Sequence, residues 1–186
     1  MTRTSGAGPD GAGREEPASH DGLAVYLNDH LAGSAAGLRL AKRCLERERG
    51  SKLGRRLERL VDEIEQDRGV LERVMARVDA TQNPLKQAAA SGAVLLSLLR
   101  DRIPVLGSSS GDVSRFEEIE LLSLGIEGKR LLWRALGELA KTDARLKEFE
   151  FTALESRAQE QRDLLEPVRL ELAPAAFGGR SGRGRT

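Results

Sequence analysis

The chain has 186 residues, 39% hydrophobic and 3% aromatic, which suits one domain with a core of Leu, Ala and Val rather than of rings. Its 30 Lys and Arg against 29 Asp and Glu leave a formal net charge of +1, which excludes a strong whole-molecule pull on nucleic acid or anionic lipid. The lone cysteine, Cys44, excludes an intramolecular disulfide, and no run reaches the roughly 18 apolar residues of a membrane span.

Residues 1–21 are rich in Gly, Ser, Pro and charge and lack the apolar stretch of a signal peptide, so they are predicted to be a disordered tail of a cytoplasmic protein. A helical domain is expected over 22–176. Its first helix is predicted from Gly22 to about Glu48, capped by Asp21 or Ser19 and stopped by Gly50. The stripe Leu23, Leu27, His30 or Leu31, Ser34, Leu38, Ala41, Leu45 gives it one apolar face, with Cys44 as an inert buried thiol. Beside that stripe, Ala32, Gly33, Ala35, Ala36 and Gly37 form a small-residue run on which another helix can approach closely. Ser51 is the expected cap of a second helix whose stripe runs Leu53, Leu57, Leu60, Ile64, Asp67, Leu71, Val74, Val78. Only Asp67 interrupts its apolar character.

Asn83-Pro84 opens a connecting segment that reads as a helix from Leu85 to about Asp101, ended by Pro104, Gly107 and nearby serines. Ser114 and Glu117 have capping-box spacing for a third helix with the stripe Phe116, Glu120, Leu124, Glu127, Leu131, Ala135, Leu139. Thr142 is the expected cap of the last helix, whose stripe is Leu146, Phe149, Ala153 or Leu154, Ala158, Gln161, Leu165, Val168, Leu172. Pro167 is expected to kink it and Pro174 to end it. Residues 177–186 form a flexible tail in which Arg180, Arg183 and Arg185 have no acidic neighbour.

The two hairpins, 22–79 and 113–173, share a pattern: one constant shift sets Leu60 on Leu154, Ile64 on Ala158, Asp67 on Gln161, Leu71 on Leu165 and Val74 on Val168. At about 1.5 Å per residue, His30 and Asp67 lie within roughly 5 Å of one height along the first hairpin. Glu127, Arg157 and Gln161 fall at mid-length of the second. A polar layer of His30, Asp67, Glu127, Arg157 and Gln161 across the middle of the bundle follows. In it, buried charges are expected to satisfy one another and to fix helix register.

This arrangement of two antiparallel hairpins, a long connector and a mid-bundle polar layer resembles the ferritin-like superfamily. The segments LLSLGIEGKRLLWRAL (121–136) and SRAQEQRDLLEPVRLELA (156–173) are similar to those of an uncharacterised bacterial group within that broad fold. The resemblance implies an all-α, antiparallel four-helix bundle with a connecting helix. It also implies a place for two metals, since in the metal-binding members two helices supply Glu-x-x-His and the others a Glu. This chain departs from that pattern. Three residues before His20 and His30 stand Pro17 and Leu27; the motif positions read Ile64-x-x-Asp67 and Ala158-x-x-Gln161, and the single-Glu positions read Ala36 and Glu127.

The expected function is therefore a non-catalytic bundle that binds another protein or itself, with the Ala32–Gly37 face as the place of self-association and no cofactor. One alternative is an oxygen-rich site of His30, Glu63, Glu65, Asp67 and Glu127 for Fe, Mn or Mg, serving an oxidase or a metal store. A second is a weak nucleic-acid contact through the Arg-Gly tail. No phosphate-binding loop, Cys-x-x-Cys or nucleophile elbow points to catalysis, and the single aromatics Trp133 and Tyr26 read as packing residues.

Overall fold

The computed structural model describes residues 20–80 and 111–178. The expected tail over 1–19, the connecting helix Leu85–Asp101 and the Arg-Gly segment from residue 179 onward lie outside the described residues. Four helices make up the fold, with no strand among the described residues: α1 (His20–Arg47), α2 (Lys52–Arg77), α3 (Gly111–Leu139) and α4 (Phe151–Phe177), with a short 3-10 turn at Ala144–Leu146 before α4. No described helix is long and apolar enough to cross a membrane.

The α1–α2 hairpin closes as the sequence leads one to expect. Gly50 takes a positive φ of 78°, and the Ser51 hydroxyl accepts a hydrogen bond from the Gly54 amide at 2.9 Å, satisfying one of the free N–H groups of the first turn. The reversal is so tight that a Cβ on residue 54 would stand 2.3 Å from the Glu48 carbonyl oxygen. Only glycine fits there.

At the other hairpin three expectations fail. α3 begins at Gly111, so Ser114 lies within the helix and cannot cap it; Asp112 supplies the acidic charge of the first turn instead. Thr142 donates back to the Leu139 carbonyl, and Asp143 caps the 3-10 turn by accepting from the Arg145 amide, so α4 starts eight residues later than its stripe suggests. Pro167 and Pro174 both stand inside α4, which runs on to Phe177. Both rings are exposed, so the carbonyls they deprive of donors face water, and the packed face opposite carries the helix through.

Contacts between helix ends give the topology. Arg47 at the end of α1 reaches Glu118 in the first third of α3. Arg77 at the end of α2 pairs with Glu148 in the α3–α4 turn. The rings of Phe116 and Phe177 meet edge-on at 4.9 Å. Thus α1 and α2 are antiparallel, α3 and α4 are antiparallel, and α2 and α3 run the same way. The chain leaves α2 at one end of the bundle and begins α3 at the other. Packing is most extensive between α3 and α4, followed by α1 with α2 and α1 with α3.

The core is a continuous cluster in which Leu57, Leu60, Met75, Leu132, Trp133 and Leu165 are all but sealed from water; each such side chain stabilises by roughly 1.5–3 kcal/mol on burial. The stripes expected for α1, α2 and α4 are the faces that pack, Leu154 rather than Ala153 being buried in α4.

For α3 the expected stripe is wrong. Leu124 is 63% and Leu131 48% exposed, while Phe116, Ile119, Leu122, Ile126, Trp133 and Leu136 are buried. The packed face is on the other side of the helix because α3 is apolar all round, and the side bearing Ile119, Ile126 and Trp133 buries more area. The small-residue run also differs from expectation. Every side chain from Asn28 to Leu38 is half-buried, and a Cβ on Gly33 or Gly37 would meet nothing within 4 Å.

Candidate functional site: a lysine at the centre of the bundle

Asp67 stands on the buried face of α2 in place of a leucine and is 1% exposed. A carboxylate there must be matched charge for charge. It is matched twice: Lys129 of α3 donates from Nζ to Oδ2 at 2.5 Å, and Arg157 of α4 donates from Nη2 to Oδ1. The same Lys129 ammonium donates to Gln161 Oε1 at 2.5 Å, and Gln161 Nε2 donates to Glu63 Oε2 at 2.8 Å. A continuous network Arg157–Asp67–Lys129–Gln161–Glu63 therefore joins α2, α3 and α4 at mid-length.

Each member has a local reason for its place. Asp67 and Gln161 occupy matching positions in the two hairpins, three residues after Ile64 and Ala158 on the buried faces of α2 and α4. Lys129 lies three residues after Ile126 and four before Trp133, on the packed face of α3. Its four-carbon stem crosses the apolar layer and delivers a point charge to the centre. Only 15% of that side chain is exposed; burial pulls the ammonium below its ordinary pKa, and the Asp67 carboxylate opposes the shift. Buried Arg157 Nε has no hydrogen-bond partner.

The remaining expected members lie elsewhere. Glu127 projects beside the network rather than into it. Arg130, one turn on, donates to both its oxygens at 3.0 and 2.9 Å, Arg162 of α4 pairs with it at 3.0 Å, and Arg130 also bridges to Glu155 at 2.9 Å. The Arg130 hydrogen bonds hold the Glu127 carboxyl below the usual range. His30 packs edge-on against Tyr26, ring centroids 4.6 Å apart, and has no hydrogen bond or ion pair to Asp67. Burial lowers its pKa, with Asp29 opposing. Glu65 pairs with Lys42 on the surface at 2.6 Å.

Sequence periodicity missed two residues, both through the register of α3. Lys129 is one. The other is Glu118, 2% exposed near the bundle end, where Arg47 binds it through two nitrogens at 2.5 and 3.1 Å and the Cys44 thiol lies 3.7 Å from Oε2. Desolvation, reinforced by Glu118, pushes the Cys44 thiol up to about 12, so it is inert at neutral pH. A cavity of about 10 Å³ beside Cys44, Arg47, Arg115, Glu118 and Leu172 holds no more than one water.

No known protein family, curated protein or solved structure matches this chain.

What the centre can do follows from its donors. Among the described residues no three His, Cys, Asp or Glu side chains converge as metal ligands. The two oxygens best placed at the centre, Asp67 Oδ2 and Gln161 Oε1, both accept from one ammonium. A divalent cation at that point would have to displace Lys129 and leave its charge beside Arg157. The residues present do not fit a di-metal centre.

Proposed function

We propose that this chain is a metal-free four-helix bundle of ferritin-like architecture, a cytoplasmic interaction module rather than an enzyme. One observation carries the reading: Lys129 sets its ammonium between Asp67 and Gln161, the position at which a metal-binding bundle gathers its carboxylates around a cation. A side chain supplies the positive charge, and the network links three helices into one register. The architecture is supported by the topology, since parallel α2 and α3 with antiparallel hairpins require one long crossover, the arrangement of ferritin-like bundles. Partner binding is supported by the leucines exposed on α3 and by a centre with no ligand set for redox chemistry.

Metal analysis of the purified protein, prepared without chelator and after incubation with Fe(II) or Mn(II), tests this. The expected result is no stoichiometric metal in the wild type or in Asp67→Asn. One or two equivalents in the wild type, lost in Asp67→Asn, would overturn it.

A further inference from the structure

The outward face of α3 is built to meet something. Leu124 and Leu131 are seven residues apart and so share a face, and they are 63% and 48% exposed. Gly128 stands between them; an added Cβ there would meet nothing within 4 Å. A glycine in mid-helix costs about 1 kcal/mol of helix propensity, and here no packing within the described residues compensates for it. It does allow another backbone to come close.

Charge is distributed along this face with polarity. Glu117 and Glu120 precede the leucines and Arg134 follows them, Glu120 and Arg134 being about 21 Å apart along the axis. Arg134 and Glu117 form no ion pair among the described residues. Two such faces running antiparallel about a two-fold axis between Glu127 and Gly128 set Leu124 of each copy opposite Leu131 of the other. Arg134 of each then falls beside Glu117 and Glu120 of the other. The face is complementary to itself, as an isologous interface requires.

We propose that a second copy of this chain docks antiparallel on the outward face of α3, through Leu124, Gly128 and Leu131, with Arg134–Glu117 pairs at either end. This rests on the reading of the bundle as an interaction module and names its partner. It also moves self-association from the Ala32–Gly37 run to α3. One helix face falls short of the roughly 800 Å² per partner of a standard interface, so the dimer is weak and concentration-dependent.

Sedimentation equilibrium from low micromolar to near-millimolar concentration, read with thermal melting, tests it. Wild type is expected to dimerise. Leu124→Gln with Leu131→Gln should weaken the dimer at least about tenfold with an unchanged melting temperature. Arg134→Glu and Glu117→Lys should each weaken it, and the two together should restore it. A wild type monomeric throughout overturns the proposal, as does a charge pair that fails to restore association. A double glutamine variant that melts lower with its association state unchanged also overturns it, showing that the face is covered by the chain itself. Stoichiometric metal would sink the module reading while leaving this dimer measurement intact, so the two failures are distinguishable.

Discussion

Two carboxylates are sealed inside this bundle, and they are satisfied differently. Asp67 at mid-length receives Lys129 and Arg157 from two helices, and Lys129 is itself shared with Gln161. Glu118 near the bundle end receives one residue, Arg47, whose side chain is 39% exposed. The first acid is locked by charges that have nowhere else to go. The second is held by a charge that water can take over. Depth in the bundle thus decides whether an ion pair specifies the fold or fastens its edge.

Asp67→Ala should produce the largest effect. It strands Lys129 and Arg157 together, and a loss of about 3–5 kcal/mol is expected by urea denaturation. Release of the Lys129 proton, eased by its lowered pKa, places the cost toward the lower end at high pH. Glu118→Ala should cost less, about 2 kcal/mol, because freed Arg47 turns outward; equal losses at the two sites would erase the contrast. The same Glu118 variant should make Cys44 more reactive toward a thiol reagent, since Glu118 helps to raise its pKa. Glu127→Gln, which touches only the surface arginine cluster, should move the melting temperature by less than about 3 °C. The smallest effect is that of His30. Its folded pKa lies below its ordinary 6.5, so the unfolded chain binds the extra proton first and stability falls as pH drops through 6.5 toward the folded value. His30→Gln should flatten that slope in a series of melts between neutral and mildly acidic pH.

How far the molecule could be read from its sequence depended on how lopsided each helix is. α2 has one apolar face, so its stripe leaves only Asp67 as an anomaly, and counting from the turn sets Arg157 and Gln161 at a matching height. α3 is apolar on both sides, and periodicity cannot choose between Glu127 with Leu124 and Leu131 and Lys129 with Ile126 and Trp133. That choice is made by the volume to be filled against α4 and α1, which no single helix records. Lysine is also the residue least expected inside, so the centre's cation is hidden even where its acid is plain. The start of α4 was illegible for another reason: Asp143 caps a 3-10 turn, a local competitor of the Thr142 cap.

A double-mutant cycle joining Asp67→Asn and Lys129→Met, with stability measured by urea denaturation of all four proteins, tests the filled centre most directly. A coupling of about 1.5–3 kcal/mol is expected, because each substitution alone leaves the other charge buried. Additive losses would show that the Lys129 ammonium does not neutralise Asp67, and would contradict a bundle whose central cation is its own lysine.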